Sequence, residues 1–293
     1  MRGRRTLAII NPAAGKGLGE KLVPTLAADL AQSGLSVDVV KTPAPGEAAR
    51  LASHAVEDGY EQILAVGGDG TAMEVANGLA GTEAALALYP IGSGNDFSRA
   101  LGYPRGRKRL GAFLASAQPR RIDVGEVNGR IFLNAAGVGI DGYVAERVLA
   151  ASRVVGPTLG YFVGALAGIA TFRPRQMRLV IDGQVREGPH MMVAACNGTT
   201  FGSGMRVAPN AKLDDGQFDV IVGGDLAKWD SLVALGKIYR GTHVNGTTIL
   251  AIRASSVDVE LPQALTMQVD GEVEKTEGLR IRMRPRALTV LGR

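Results

Sequence analysis

The sequence predicts a two-domain α/β protein, with an open parallel sheet in its N-terminal part and an antiparallel β-sandwich in its C-terminal part. Up to about residue 121, short apolar strands alternate with helices, which is typical of a parallel sheet with right-handed crossovers. Three of these strands end in turns that contain glycine. Beyond residue 122, Asn-Gly and Asp-Gly dipeptides separate strand-like segments, which indicates hairpins in a sandwich or barrel.

The elements of the first domain, residues 1–121, follow from apolar periodicity and from helix stop signals. The predicted strands are Leu7–Ile10, Val37–Val40, Ile63–Val66 and Ala85–Ile91. A helix is expected from the first glycine turn to Ala31, because Gly34 follows at a C-cap position. The other predicted helices are Glu47–Glu57, Ala72–Ala80 and Arg107–Ser116.

The second domain, residues 122–293, is predicted to be mainly antiparallel. The prediction allows its last strand to pair with the sheet of the first domain. Hairpins are expected at Asn128-Gly129 and at Asp182-Gly183. Further predicted strands are His190–Cys196, Phe218–Val222, Thr248–Ile252, Val257–Leu261, Leu265–Val269 and Leu279–Met283. The predicted helices are Gly142–Ala151, Leu159–Thr171 and Lys228–Tyr239.

Composition narrows the classes of partner and compartment. The net charge of +5 favours anionic partners, but only 5% of residues are aromatic and no nucleic-acid-binding motif is present, so we expect no nucleic-acid partner. The basic run Arg105–Arg109 is interpreted as a solvated segment, with attraction to a membrane as the alternative. A single cysteine, Cys196, precludes an intrachain disulfide and predicts a cytoplasmic protein. The apolar segment Tyr161–Ala170 is too short to span a bilayer.

The turn after the third predicted strand is the strongest candidate for a ligand site. It reads Gly67-Gly68-Asp69-Gly70-Thr71 and leads from a buried strand into a helix, a geometry that directs amides toward an anion. A carboxylate such as Asp69 repels phosphates unless a cation lies between, so we expect a nucleotide with Mg²⁺ here. The alternative is that Asp69 caps its own helix at Thr71 and Ala72. Walker A and Rossmann motifs are absent.

Two acidic clusters are candidates for chemistry in the second domain. Asp270-Gly271-Glu272 places two acids on one face if the strand continues, so that one accepts a proton and the other orients it or a metal. The alternative is a solvated Asp-Gly turn. Asp214-Asp215-Gly216 is interpreted first as a turn and second as a cation site.

Several of these motifs resemble the diacylglycerol kinase catalytic-domain family, and within it the soluble bacterial lipid kinases related to sphingosine kinases. The resemblance is carried by Gly67–Thr71 with Glu74 and by Pro90–Phe97, which reads P-I-G-S-G-N-D-F. Further matches in family order are Asn11-Pro12 with Gly15, Asn134–Gly139, Pro209–Gly216 and Val269–Glu272. Together they cover most of the chain.

The resemblance implies a lipid kinase with an ATP domain like that of NAD kinases and a β-sandwich lipid domain, using ATP and Mg²⁺. It implies that Glu272 is the proton acceptor, with Asp270 and Asp69 beside it. A structural Mg²⁺ would be held by Asp215 and by the carbonyls of Lys212 and Gln217. The residues that would hold ATP are Asn11, Pro12, Ala13, Ala14, Gly15, Thr42, Gly68, Asp69, Gly70, Thr71, Ala72, Met73, Glu74 and Ser93.

Two departures from the family pattern affect this assignment. Ser93 replaces the more common threonine and keeps its hydroxyl, whereas Ala72-Met73 replaces a frequent Leu-Asn pair and loses the amide side chain. The implied substrate is a lipid with a free hydroxyl, reached by peripheral contact with the anionic inner membrane face. A homodimer is compatible with the sequence. The alternatives are a kinase of a soluble substrate such as NAD and a non-catalytic nucleotide-binding module.

Overall fold

The chain forms two compact units in a computed structural model that describes residues 3–155, 164, 166–202, 204–244 and 246–292. Unit 1 comprises Met1–Val124 and Arg284–Arg293, and unit 2 comprises Gly125–Met283. The strands of unit 1 pair in parallel and those of unit 2 pair antiparallel. The predicted fold class is therefore confirmed.

Unit 1 is a parallel sheet flanked by helices. Its elements are β1 (Thr6–Ile10), α1 (Ala14–Leu22), α2 (Leu26–Ala31), β2 (Asp38–Lys41), α3 (Glu47–Glu57), β3 (Gln62–Gly67), α4 (Asp69–Leu79), β4 (Ala85–Pro90), α5 (Asp96–Ala100) and α6 (Arg107–Ser116). The last residues of β14 (Glu272–Gly292) lie beside β4, and β3, β1 and β2 follow in that order. All six residues of β3 are buried, because the strand has a neighbour on each side and helices pack on the sheet.

Two predictions for unit 1 are wrong in detail, and one helix was missed. The helix expected after the first glycine turn is broken, because α1 ends at Leu22 and α2 begins only at Leu26. The positive φ angles of Gly15, Lys16 and Gly17 lie in the turn that was predicted before it. Helix α4 starts at Asp69 rather than Ala72, and Gly68 stands at its N-cap. The short helix α5 was not predicted.

Unit 2 is an antiparallel assembly with two helices that have defined bounds. Its elements are the end of β5 (Gln118–Val127), β6 (Arg130–Phe132), β7 (Ala135–Gly139), α7 (Ile140–Val155), β8 (Arg175–Ile181), β9 (Gln184–His190), β10 (Met192–Cys196), β11 (Phe218–Gly223), α8 (Lys228–Ile238), β12 (Ile249–Ala254), β13 (Ser256–Val269) and the start of β14. The order β12-β11-β10-β7-β13-β14 forms the main sheet, and the β8–β9 hairpin pairs with β13.

The hairpins of unit 2 are as predicted, but several strands differ. Asn128-Gly129 and Asp182-Gly183 both have two successive positive φ angles, the geometry of a type I′ turn. Strand β7 was missed, and β13 runs unbroken through a register shift between Glu260 and Leu265. The segment expected to be one strand at His190–Cys196 divides at Met191 between β9 and β10.

The segment Tyr161–Ala170 and the helix expected over Leu159–Thr171 lie partly outside the described residues. Residues 166–171 of this segment are helical. Within the described part of the chain, no helix has the length and apolar character needed to cross a membrane.

Candidate active site

Three loops of unit 1 converge where neighbouring parallel strands end. They follow β1, β3 and β4, which are adjacent in the sheet. A Cβ atom on Gly92 would lie 2.5 Å from the Cα atom of Gly68, so the loops after β3 and β4 pack backbone against backbone. A Cβ atom on Gly15 would lie 2.5 Å from the carbonyl oxygen of Ile91. The glycines therefore permit an approach that no other residue allows.

Side chains fix these loops in place. Asn11 Nδ2 donates a hydrogen bond to Thr71 Oγ1 at 3.2 Å, and Asn11 Oδ1 accepts the Ala13 amide at 3.0 Å. Asn11 thus ties the loop after β1 to the first turn of α4. The amide of Thr42, at the end of β2, donates to the carbonyl of Ile10 at 2.9 Å, which places Thr42 at the same edge of the sheet.

Asp69 anchors the next loop instead of capping its own helix. Its Oδ1 accepts the amide of Phe97 at 3.1 Å, in the first turn of α5, and no side-chain hydrogen bond caps α4. The alternative role as a cap of α4 is therefore wrong. Burial raises the pKa of the Asp69 carboxyl, and the amides of Phe97 and Asp96 act in the opposite direction.

The remaining predicted ATP residues fall into two groups. Ala72 and Met73 are 5% and 1% exposed and pack on the inner side of α4, so their side chains belong to the core of unit 1. The carboxylate of Glu74 accepts the amides of Gly46 and Ala48, each at 3.1 Å, and so caps the N-terminus of α3. Ser93, by contrast, is exposed at the tip of its turn.

In unit 2, Asp270 and Gly271 form the turn between β13 and β14 and have φ values of 48° and 93°. The strand does not continue through them, so the prediction that Asp270 and Glu272 share a strand face is wrong. The alternative of two solvated acids is wrong for Asp270, which is 8% exposed. Its carboxylate accepts three amides, those of Leu133 at 2.6 Å, Asn134 at 2.8 Å and Ala135 at 3.0 Å.

Glu272, the first residue of β14, has a different environment. Its side chain is 47% exposed, and its Oε2 is paired with the guanidinium of Arg130 on β6. The Asp270–Gly271 turn positions Glu272, because the turn is held by the amides of residues 133–135. Asp270 thus acts as an anchor, and Glu272 is the accessible carboxylate of the two.

The predicted structural Mg²⁺ site, formed by Asp215 and the carbonyls of Lys212 and Gln217, stays a prediction, and in this structure its carboxylate has other partners. Asp215 Oδ2 lies 2.5 Å from a guanidinium nitrogen of Arg253, and its Oδ1 accepts the amide of Gln217 at 3.3 Å. A cation at this carboxylate would have to compete with the arginine. Lys212, whose carbonyl belongs to the predicted site, is exposed nearby in sequence. The turn interpretation of residues 214–216 accords with a φ of 74° at Gly216.

Unit 2 also contains an apolar cavity of about 150 Å³ between α7, α8 and the sheet. Three polar side chains, Asp141, Ser231 and His243, lie in its wall. Burial raises the pKa of Asp141 to about 7 and lowers the pKa of His243. The apolar lining includes Val144, Ile169, Met191, Phe201, Ile221 and Leu235.

Comparison with known proteins places the chain in a family. Residues 5–127 match the family described as the diacylglycerol kinase catalytic domain, and residues 134–292 match the YegS C-terminal NAD kinase beta sandwich-like domain. The chain belongs to the diacylglycerol kinase family. The family and the relatives that match it identify the protein as a kinase.

Individual relatives of this diacylglycerol kinase family member span nearly the whole chain. It is 30% identical to the diacylglycerol kinase of Bacillus subtilis (strain 168), over 92% of this chain and 90% of the relative. It is 32% identical to a probable lipid kinase, YegS-like, of Pseudomonas putida, over 98% of this chain and 95% of the relative. A solved diacylglycerol kinase structure from Bacillus anthracis str. Sterne matches with a TM-score of 0.75 at 25% identity, covering 99% of this chain and 97% of that one.

Two residues that hold the loops of the candidate site were not predicted from the sequence. Asn95, with φ of 54°, closes the loop after β4, because its side chain both accepts from the Gly92 amide and donates to the Gly92 carbonyl. Gln268 is 3% exposed, and its Oε1 accepts the Gly271 amide at 2.9 Å, which fixes the turn beside Glu272. The asparagine of the G-x-G-N-D-F motif could have indicated the role of Asn95 in its loop. No local signal distinguished Gln268 from an ordinary strand residue.

Proposed function

We propose that this protein is an ATP- and Mg²⁺-dependent lipid kinase that transfers the γ-phosphate to the hydroxyl of diacylglycerol or a related lipid. The observation that carries the proposal is the convergence of three glycine-containing loops at the carboxyl ends of β1, β3 and β4. Parallel α/β sheets bind ligands at this edge, and the N-terminus of α4 adds a favourable potential for phosphate. Phosphoryl transfer requires mainly positioning and charge neutralisation, and Mg²⁺ bound with ATP supplies part of the latter.

The acceptor side of the proposal rests on unit 2. An apolar cavity with only a few polar side chains in its wall suits a molecule that is mostly hydrocarbon and carries a few polar atoms. Diacylglycerol has this character, and relatives of the chain carry its name. NAD, a charged soluble acceptor, would gain little from such a lining.

Glu272 is the proposed proton acceptor for the lipid hydroxyl. It is the exposed carboxylate of the Asp270–Glu272 hairpin, and the guanidinium of Arg130 orients it. In this proposal Asp270 holds the turn beside Glu272 in unit 2 and Asp69 holds the loop after β4 in unit 1, each by accepting backbone amides. The ATP-binding contacts of the first loop and of Ser93 then come from backbone amides and the exposed hydroxyl.

The proposed place of action is the cytoplasmic face of the inner membrane, where the lipid hydroxyls are found. Peripheral contact suffices, because the hydroxyl lies at the level of the headgroups. Unit 1 supplies an excess of basic residues that an anionic leaflet attracts, by roughly 1 kcal/mol for each one close to the surface.

A transfer assay tests the proposal. The protein is incubated with labelled ATP and Mg²⁺ against diacylglycerol, sphingoid bases, phosphatidylglycerol and NAD, and the products are separated by thin-layer chromatography. We expect label in a lipid, its loss on chelation of Mg²⁺, and a fall of orders of magnitude for Glu272→Gln with the fold retained. Label only in NADP would establish the soluble-substrate kinase instead. ATP binding without transfer to any acceptor would favour a non-catalytic module.

A further inference from the structure

Helix α8 of unit 2 is apolar on two opposite faces. Its inner face, formed by Ala234, Leu235 and Ile238, is partly buried and lines the apolar cavity. Its outer face carries Trp229, which is 74% exposed, followed by other exposed apolar side chains, namely Leu232 (40%), Val233 (41%) and, just after the helix, Tyr239 (49%). A helix on the surface of a globular protein normally has a polar outer face. The outer face of α8 is therefore built for an apolar environment that the described residues do not provide.

The spacing of these residues makes them one continuous stripe. Positions 229, 232, 233 and 236 are separated by three, four and seven residues, so they lie on one side of the helix. Gly236 contributes no side chain, and a Cβ atom there would meet nothing within 4 Å. Contiguous exposed apolar patches of this kind mark interaction sites rather than ordinary surface.

Basic side chains border the stripe at both ends. Lys228 stands at the start of α8, and Lys237 and Arg240 stand at its end. Arg206 joins them, because its amide donates to the carbonyl of Ile238 at 3.1 Å and its side chain is exposed. None of these four cations forms an ion pair with a described residue. The acids nearby in sequence are Asp225 and Asp230, so cations predominate, most clearly at the C-terminal end.

We infer that the outer face of α8 docks on an anionic lipid bilayer, with Trp229 and Tyr239 at the level of the headgroups. Aromatic side chains are enriched at this depth, and basic residues beside an apolar stripe are typical of helices that lie in the interface. The cations at the ends of the stripe complement an anionic leaflet, whereas a second copy docked by the same face would bring like charges together, so the charge favours a membrane over a second copy.

This inference rests on the proposed function, and docking through α8 would bring the lipid-binding cavity close to the membrane. The same helix forms the wall of the apolar cavity, so its outer face meets the bilayer while its inner face meets the cavity. A substrate leaving the membrane would then have only one helix to pass.

The protein contains one tryptophan, Trp229, which makes the test direct. The intact protein is mixed with vesicles of phosphatidylcholine and phosphatidylglycerol, and emission and co-sedimentation are measured. We expect a blue shift, quenching by brominated lipid, and weaker binding to vesicles of phosphatidylcholine alone. Leu232→Ser with Val233→Ser should weaken vesicle binding by about tenfold or more, because the apolar contact is lost. Val185→Ser, at a 51% exposed valine on β9, is the matched control and should bind as the wild type does.

Other outcomes decide against the inference. Co-sedimentation with unchanged tryptophan emission would show that another surface docks. A dimer in light scattering, dissociated by the Leu232→Ser and Val233→Ser pair without any effect on vesicle binding, would assign the stripe to a second copy. Kinase activity on a short-chain diacylglycerol dispersed as monomers separates the two proposals. Docking variants should retain this activity, whereas its absence in the wild type would refute the lipid kinase and leave the vesicle result to stand alone.

Discussion

Replacing Asp270 should lower the free energy of unfolding of the protein, even though the residue lies beside the proposed base, Glu272. Its carboxylate accepts the amides of Leu133, Asn134 and Ala135, and its own amide donates to the carbonyl of Ala135 at 3.0 Å. Each buried amide left without an acceptor costs about 1–3 kcal/mol, so Asp270→Ala should lower the free energy of unfolding by on the order of 5 kcal/mol. That is a large share of the roughly 5–15 kcal/mol of a typical domain.

The Asp270→Asn variant refines the test. One oxygen still accepts two amides, but an NH₂ group now faces the third amide, so we expect a loss of roughly 2–3 kcal/mol. Urea unfolding followed by circular dichroism measures both variants. Glu272→Gln serves as the comparison, because its exposed pair with Arg130 contributes at most about 1 kcal/mol to stability while transfer activity should collapse.

Two results would refute the assignment of Asp270 as a structural anchor and Glu272 as the base. If Asp270→Asn unfolds at the same urea concentration as the wild type, the three amides do not depend on the carboxylate and the anchor assignment is refuted. If Glu272→Gln loses activity and stability together, Glu272 is a structural residue as well, and the hairpin offers no separate base.

Three further predictions concern other parts of the chain. Gly92→Ala should abolish ATP binding in calorimetry and lower the midpoint of thermal unfolding, because its Cβ would meet the Gly68 Cα, whereas Gly236→Ala, in open space, should be stable. Burial raises the pKa of Asp141 from its ordinary 3.8 to about 7, so the free energy of unfolding should fall with rising pH between these values, by at most about 4 kcal/mol. Asp141→Asn should flatten the urea midpoints measured across this pH range. Cys196, fully buried with a raised thiol pKa, should react with a thiol reagent only after unfolding; rapid native labelling would contradict this.

Residues with strong local signals were predicted well. The helix bounds at Glu47–Glu57 and Arg107–Ser116 agree with the structure, and both Xaa-Gly hairpins formed as expected. These features depend on propensity and turn geometry within a few residues, so a single sequence contains what is needed to recognise them.

Features set by distant contacts were not predicted. Strand β7 reads Ala-Ala-Gly-Val-Gly, which has little β-propensity, and it is a strand because β10 and β13 pair with it on either side. The Asp270-Gly271 dipeptide indicates a turn, but nothing near it shows that amides more than 130 residues earlier surround the carboxylate. Similarly, the capping of α3 by Glu74 was not predicted, because the amides of Gly46 and Ala48 are distant in sequence.

Strand β14 has a consequence for how the protein is made. Its first residues pair with β13 in unit 2, while Thr289 and Val290 pair with β4 in unit 1. The hydroxyl of Tyr103 reinforces the second pairing by donating to the carbonyl of Leu291 at 2.8 Å. Unit 1 therefore cannot complete its sheet until residues 284–292 have left the ribosome. Until then the growing chain exposes an unpaired β4 edge, which is a site where a chaperone would be expected to act.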